Sequence, residues 1–134
     1  MCIRDRAATD RGVLDGIEVV RAPDDVGAVF DQADVAVSAA GSTVWELCAM
    51  GIPAALVQVA DNQQDVARPV ADRGAAVFVG EAPVEREALD SALDVLADPR
   101  PRAILSSAAL ELVDGLGPRR VLNALLPDAS ALLE

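Results

Sequence analysis

The residue types best suited to bind a ligand lie in three turns of the sequence. In the first turn, Gly41, Ser42 and Thr43 follow an apolar run directly, and Glu46 comes one helical turn later. Glycine lets a backbone approach a ligand closely, and we expect the free N–H groups of Ser42, Thr43 and Val44 to point from a helix start toward an anion. A carboxylate at position 46 could accept hydrogen bonds from two vicinal ribose hydroxyls. This turn is therefore predicted to cradle a diphosphate.

The other two turns offer less specific binding chemistry. Asn62 and Gln63 follow the next apolar run, and their amide groups suit the hydroxyl and acetamido groups of a sugar. The remaining turn leads through Asp24 and Asp25 into Val26. It is included because ligands of parallel sheets bind outside the carboxyl ends of the strands.

Structural roles compete with these binding roles. Glu46 lies three residues after Thr43, which is the spacing of a capping box, and on spacing alone the capping interpretation is favoured. Asp61 or Asn62 could simply cap the helix that follows, and without the neighbouring turn this is the stronger interpretation. Both alternatives remain open at this point.

Other conspicuous polar and aromatic residues are assigned structural roles. An acidic pair such as Asp24 and Asp25 before a helix is more typical of a cap than of catalytic carboxylates or a metal site. Trp45 is expected in the core rather than against a substrate. Arg68 and Arg73 are expected to be solvated surface charges.

The composition excludes much of the common catalytic repertoire. The 134 residues contain no histidine, and all 11 basic residues are arginine. A histidine base, a Ser-His-Asp triad, a histidine zinc site and a P-loop lysine are therefore impossible within the chain. A formal charge of -11 has the wrong sign for nucleic acid or an anionic membrane. We predict no nucleic-acid partner, no metal site and no cofactor.

The chain length and the cysteine content indicate the number of domains and the cellular compartment. Two cysteines do not indicate a disulfide framework, and the chain has no run of about 18 apolar residues. We therefore expect a cytoplasmic protein without stable membrane insertion. Residues 1–16 are interpreted as a ragged or artefactual start to an incomplete chain, and residues 17–134 as one domain.

The alternation of apolar runs and helical periods predicts the fold class. Runs that are apolar on both faces are typical of strands buried in a parallel sheet. Strands are predicted at residues 17–20, 35–38, 54–59 and 75–79. Helices are predicted after each of the first three strands and again at residues 83–96, 102–113 and 118–126. This order predicts an α/β fold of the Rossmann-like kind, a parallel sheet with helices on both faces.

One long string resembles a known family. Residues 33–53, ADVAVSAAGSTVWELCAMGIP, resemble the donor-nucleotide segment of GT-B glycosyltransferases of the MurG type. With residues 59–63 and the string 112–117 before a terminal helix, the chain is most similar to the carboxyl half of PseG and SpsG proteins. PseG is the nucleotide-sugar hydrolase of pseudaminic acid synthesis. The resemblance runs from about residue 17 to residue 126.

The resemblance implies one half of a GT-B fold that binds a UDP-sugar and packs against an amino-terminal domain of the same protein. It places the diphosphate at Gly41, Ser42 and Thr43, and the ribose at Glu46. Asn62 and Gln63 would meet the diphosphate-sugar region, and the turn around Val26 would edge the uracil. In PseG-like enzymes water attacks the anomeric carbon, and the histidine regarded as the base lies in the other domain. No catalytic residue is therefore assigned here, and we expect UDP binding without turnover.

Two other functions remain open from the sequence. The first is the carboxyl-terminal domain of a GT-B glycosyltransferase, in which a sugar or lipid acceptor replaces water. The string Asp114-Gly115-Leu116-Gly117 and Trp45 favour the hydrolase over this alternative. The second is a noncatalytic Rossmann-like partner module, such as a signalling receiver-like domain. The absence of lysine argues against this alternative.

Overall fold

The computed structural model describes Val20 and residues 23–126. In this part of the chain, three helices alternate with three strands, and three consecutive helices follow. The strands are β1 (Ala36–Ala39), β2 (Ala54–Gln58) and β3 (Val77–Glu81). The helices are α1 (Val26–Phe30), α2 (Thr43–Ala49), α3 (Gln64–Asp72), α4 (Arg86–Ala97), α5 (Pro99–Leu112) and α6 (Gly117–Leu125), with a single 3₁₀ turn (Asp61–Gln63) before α3.

The three strands form one parallel sheet in the order β1-β2-β3. Val37 pairs with Ala55, and Leu56 pairs with Phe78, so β2 is the central strand. Because all strands run the same way, their carboxyl ends meet at one edge, which we call the carboxyl edge, where the chain turns into α2 and α3. The predicted parallel α/β sheet is confirmed.

Alternate residues of β2 face opposite layers. One core cluster joins side chains of β2 to α2 and α3, with the main members Leu56, Val44, Leu47 and Val70. The other cluster joins Ala55 to side chains of α4 and α5, namely Ala92, Leu96 and Leu105. Leu56 is fully buried, and burying a side chain of this size stabilises the fold by about 1.5–3 kcal/mol. Helices therefore cover both faces of the sheet.

Two strand predictions differ from the structure. The predicted strand at residues 17–20 lies outside the described residues except for Val20, which is not in a strand. The strand predicted at residues 75–79 instead covers Val77–Glu81. It begins later because the Ala75 N–H donates to the Val70 carbonyl and so completes the end of α3. It continues through Gly80 because the register shifts opposite Leu56 and Val57, and glycine adopts the required φ of +145°.

The helices α2 and α3, which begin at the carboxyl edge, end at the glycines that the sequence predicted as their stops. The residue Gly51 follows α2 with a φ of +66°, and Gly74 follows α3 with a φ of +69°. A Cβ at position 51 would lie 2.8 Å from Cγ of Leu110 on α5, whereas a Cβ at position 74 would meet nothing within 4 Å. Gly51 is thus required both by its backbone conformation and by the close approach of α5.

The helix α5 begins three residues earlier than the predicted residue 102. Asp98 is its N-cap and accepts a hydrogen bond from the Arg100 N–H at 2.9 Å. Pro99 occupies the first helical position, where its missing N–H costs nothing and its fixed φ suits the helix. Within residues 23–126, none of the helices is long and apolar enough to cross a membrane.

Candidate functional site

The turns after β1 and β2 meet at the carboxyl edge. A Cβ built on Gly41 would lie 3.9 Å from Nε2 of Gln63, so the side chain of Gln63 reaches the turn that begins α2. The sequence predicted both turns as binding elements, and the structure brings them side by side. Their shared notch is the candidate site, defined by Gly41, Ser42, Thr43 and Gln63.

Two backbone donors are free at the start of α2. Ser42 is the N-cap, and its side chain makes no capping hydrogen bond. The Val44 N–H donates to the Gly41 carbonyl at 3.2 Å, so the prediction of a free N–H at Val44 is wrong. The N–H groups of Ser42 and Thr43 have no acceptor within the part of the chain that the structure describes. These two donors remain able to bind an anion.

Gln63 presents its amide with a defined orientation. Its Oε1 accepts a hydrogen bond from the Val59 N–H at 2.9 Å, which closes the turn after β2. With Oε1 engaged on the backbone, the Nε2 donor is the end of the amide that lies toward Gly41. The notch therefore holds three N–H donors from two different turns, which is chemistry for a ligand rich in negatively charged oxygens.

Glu46 is not part of a capping box. The helix starts one residue earlier than the box requires, because Ser42 rather than Thr43 is the N-cap. Glu46 is consequently the fourth helical residue, and α2 has no side-chain cap. Its carboxylate is exposed on the first turn of α2. The capping interpretation favoured by spacing is wrong, and the carboxylate is left available for a ligand.

The capping role considered for Asp61 and Asn62 is also wrong. The 3₁₀ turn and α3 have Ala60 and Gln63 at their N-cap positions, and neither segment has a side-chain capping bond. Asp61 and Asn62 are both exposed, and Asn62 directly precedes the anchored Gln63. Asn62 thus lies at the rim of the notch.

Trp45 lies on the surface. Its side chain is 44% exposed, because Val44, Leu47 and Cys48 take the inward face of α2 and position 45 falls on the outward face. The prediction of a core tryptophan is therefore wrong. As the single tryptophan of the chain, immediately before Glu46, it reports on the environment of the candidate site.

Asp24 and Asp25 lead directly into α1, as predicted. Val26 is the first residue of this helix and is 44% exposed. The Asp25 carboxylate accepts a hydrogen bond from the Ala28 N–H at 3.1 Å and caps α1. The capping interpretation of this acidic pair is confirmed for Asp25.

Arg68 contacts two other side chains and is not simply a solvated surface charge. Its guanidinium lies 4.8 Å from the ring centroid of Phe78, and its Nη2 lies 3.6 Å from Oε1 of Glu81. Both charged side chains are about half exposed, so the ion pair contributes at most about 1 kcal/mol. Arg73 is exposed, and its Nη1 donates to the Pro69 carbonyl. Arg68 thus carries its own counter-ion, which leaves the amide and backbone donors as the anion-binding groups of the notch.

One buried polar residue at the end of β2 is not among the predicted site residues. Gln58, the last residue of β2, is only 6% exposed, and its Oε1 has no hydrogen-bond partner among the described residues. The signal was a lone amide inside the apolar run 54–59. A buried polar group of this kind is uncommon and has a physical or functional reason in most native structures.

A groove of about 450 Å³ lies at the opposite edge of the sheet, where the strands begin. It contains none of the predicted site residues, and its lining includes Phe30, Asp34, Met50, Pro53 and Arg102. At the notch, Ser42 is exposed, and Gly41, Thr43 and Gln63 are half-buried. We place the site at the notch because its donors converge there, whereas the groove combines carboxylates with a single arginine.

The string Asp114-Gly115-Leu116-Gly117 has a structural role. Oδ1 of Asp114 accepts a hydrogen bond from the Leu116 N–H at 3.0 Å, and both carboxylate oxygens bind the Arg120 guanidinium. Arg120 holds the pKa of Asp114 well below its usual range, at about 2, and the Leu116 N–H adds to this shift. The string joins α5 to α6 and lies outside the notch.

The fold and the notch define a class of protein: a parallel α/β domain with unpaired backbone donors, among the described residues, at the start of a glycine-led helix. Residues 7–114 match the family model described as glycosyltransferase family 28 C-terminal domain. This chain belongs to that family. The resemblance to GT-B glycosyltransferases is thereby confirmed at the level of the family.

Individual relatives agree with the family. The chain is 35% identical over 94 residues to the UDP-N-acetylglucosamine--N-acetylmuramyl-(pentapeptide) pyrophosphoryl-undecaprenol N-acetylglucosamine transferase of Methylibium petroleiphilum, covering 66% of this chain and 26% of the relative. The transferase of the same name from Salinibacter ruber is 37% identical over 98 residues, covering 69% and 26%. The spore coat polysaccharide biosynthesis protein SpsG of Bacillus subtilis is 30% identical over 113 residues, covering 83% and 33%.

The chain thus spans about a quarter to a third of the length of these relatives. No solved structure matches the chain. The matches include several transferases beside SpsG, and they support the transferase alternative better than the predicted hydrolase.

Proposed function

We propose that this chain is the UDP-sugar-binding carboxyl-terminal half of a GT-B glycosyltransferase. The observation that carries the proposal is the meeting of two turns at the carboxyl edge, where Gln63 Nε2 lies beside Gly41 and the N–H groups of Ser42 and Thr43 are free. Family membership and the names of the transferase relatives support a nucleotide-sugar as the ligand.

Each predicted site residue has a role in this proposal. The diphosphate lies in the notch, where Ser42, Thr43 and Gln63 donate hydrogen bonds to its oxygens and Gly41 leaves space for it. Donors to ionised oxygens are worth about 1.5–3 kcal/mol each when they are dry and well aligned. The net charge of -11 opposes an anion only weakly at contact distance, since the Debye length is about 8 Å at physiological salt.

The nucleoside and the sugar extend to either side of the diphosphate. The exposed carboxylate of Glu46 accepts hydrogen bonds from the ribose hydroxyls, and Val26 provides an apolar edge for the uracil. Asn62, exposed at the rim, donates to or accepts from the sugar.

The contribution of this half to catalysis is electrostatic. Negative charge grows on the diphosphate as it leaves the sugar, and fixed N–H donors at the notch stabilise that charge more than they stabilise the bound substrate. The chain has no histidine to act as a base, so activation of the acceptor falls to the amino-terminal half. We therefore expect the 134-residue chain to bind UDP and UDP-sugars without turning them over.

The second candidate is the predicted UDP-sugar hydrolase, supported by the similarity to SpsG over 83% of this chain and by the Gly-Ser-Thr-Val-Trp-Glu string. Transferase and hydrolase share the same donor half and differ in what attacks the anomeric carbon. Assaying the full-length protein for release of free sugar, with and without added acceptors, distinguishes them. Sugar release that is independent of any acceptor would favour the hydrolase.

The donor-binding role is tested by titrating the chain with UDP and with UDP-N-acetylglucosamine. Calorimetry and the fluorescence of Trp45, which is 44% exposed beside Glu46, should report saturable binding at about 1 mM or below. Uridine is the control ligand, because it lacks the diphosphate and should bind much more weakly. A folded chain that responds to neither nucleotide at several times that concentration would overturn the proposal and favour a noncatalytic partner module.

A further inference from the structure

The amide oxygen of Gln58 is the exception in a segment whose neighbouring polar groups are paired. The Gln58 carbonyl accepts a hydrogen bond from the Ala82 N–H at 2.8 Å, and the Val57 carbonyl accepts one from the Ala40 N–H at 3.0 Å. The Val59 N–H donates to Gln63. Oε1 of Gln58 is buried without a partner in the described part of the chain. An unpaired buried acceptor destabilises the folded state, so stability alone would favour an apolar side chain here.

Gln58 is the last residue of β2 and lies at the carboxyl edge, where the candidate site is. Side chains alternate along β2, and Gln58 therefore lies on the same face as Leu56, the face covered by α2 and α3. In the sheet it follows Val57, which is bound to Ala40 just before Gly41, and it precedes the turn that ends in Gln63. Gln58 thus ends β2 at the carboxyl edge, next in the sheet to the turn that begins α2 and directly before the turn that ends in Gln63.

We propose that Gln58 is a specificity-determining residue whose amide oxygen accepts a hydrogen bond from the sugar of the bound nucleotide-sugar. This inference rests on the proposed donor site. A diphosphate oxygen cannot fill the role at neutral pH, because it is itself an acceptor. The uracil and the ribose are assigned to Val26 and Glu46, on the side of α1 and α2. The sugar alone brings O–H or N–H donors to the end of β2.

The turn after Gln58 is the segment that must shift to admit the sugar. Val59 is 55% exposed, and residues 60–62 are exposed as well. The turn is held by the Val59 N–H to Gln63 Oε1 bond and by the Gln63 N–H to Ala60 carbonyl bond at 3.0 Å. A diphosphate that binds Gln63 Nε2 acts directly on this turn. Occupation of the notch and exposure of Gln58 Oε1 are thereby coupled.

The test replaces Gln58 with methionine, which has a similar length and no oxygen. Because the change removes an unpaired acceptor, the melting temperature of the free chain should stay the same or rise. UDP-sugar affinity should fall by roughly 10-fold, the effect of one lost hydrogen bond, while UDP affinity should be unchanged. Gln58→Leu provides a second apolar variant with the same expected pattern. Gln32→Met is the matched control, since the Gln32 side chain is exposed and its Nε2 donates to the Ala28 carbonyl at the surface.

Two UDP-sugars identify the donor group, and each further outcome is decisive. Weakening with both UDP-glucose and UDP-N-acetylglucosamine assigns a hydroxyl, and weakening only with the latter assigns the acetamido N–H. Equal weakening of UDP and the UDP-sugars, or unchanged UDP-sugar affinity, would overturn the role of Gln58 while leaving the donor site intact. A clear fall in melting temperature in both apolar variants would show that Oε1 is paired in the free protein and would also overturn it. Failure of the wild-type chain to bind UDP would refute the proposed function itself.

Discussion

The substitution Gln63→Glu separates the structural bond of this side chain from its proposed binding role. Oε1 of Gln63 accepts the Val59 N–H at 2.9 Å, and a glutamate keeps an acceptor oxygen in that place. The other end changes from the Nε2 donor to a carboxylate oxygen, at a position 3.9 Å from where a Gly41 Cβ would lie. The turn should therefore keep its conformation while the notch loses a donor and gains a negative charge.

The expected loss of affinity follows from these two changes. Removing one donor to an ionised oxygen costs about 1.5–3 kcal/mol. A carboxylate facing a diphosphate charge at about 4 Å adds about 1 kcal/mol of repulsion in a water-like environment. The sum of about 2.5–4 kcal/mol corresponds to roughly 60- to 900-fold weaker binding of UDP.

Calorimetric titration with UDP measures the affinity, and urea unfolding of the same samples measures the stability. Gln32→Glu is the control, because it adds the same charge at an exposed side chain in the turn that follows α1. It should change UDP affinity by less than about 3-fold, through long-range charge alone. If Gln63→Glu bound UDP as well as wild type, with its turn intact, the diphosphate could not lie beside Gly41.

Three further predictions concern the ribose contact, the glycines at two helix ends, and the stability of the chain at acidic pH. Glu46→Gln should weaken UDP binding by about 1–3 kcal/mol in titration, because a neutral amide replaces a charged acceptor; equal affinity would remove Glu46 from the site. Gly51→Ala should destabilise the chain to urea by about 1 kcal/mol more than Gly74→Ala, since both acquire a strained positive φ but only the first displaces a leucine of α5; equal losses would show that this leucine moves freely. The pKa of Asp114 is lowered to about 2 in the folded chain, so its stabilising pairing is complete above the unfolded pKa of about 4 and is lost as pH falls toward 2. Asp114→Asn should therefore flatten the melting temperature between about pH 4 and about pH 2, and an unaltered profile would contradict the pairing.

The sheet and most helices could be predicted because their signals are local and redundant. Residues 35–38 and 54–59 are apolar on both faces, which only a buried strand explains at that length, and Gly74 marks the end of α3 through its backbone conformation. The predicted start of α5 at residue 102 did not use the helix-start signal at Asp98-Pro99, although an aspartate before a proline is a typical helix start. Here the signal was present in the sequence.

The candidate site was predictable in its position but not in its contacts. The carboxyl ends of parallel strands must meet, so the convergence of the turns at Gly41 and Gln63 followed from the topology. Which end of the Gln63 amide faces Gly41 depends on a bond to the Val59 backbone that no spacing reveals. Trp45 was misplaced because its side chain is large and apolar, while the helical phase set by Val44 directs it outward. Helical phase outweighs residue type at such positions.

The exposure of the notch between Gly41 and Gln63 affects the rates at which a ligand would bind and leave. Among the described residues, Ser42 is exposed and Gly41, Thr43 and Gln63 are half-buried, so a diphosphate can reach these donors directly and its arrival is limited by diffusion and orientation. Differences in affinity would then lie in the rate of escape. A second domain that closes over this edge would act chiefly by lengthening the residence time of the nucleotide, and would hardly hasten its capture.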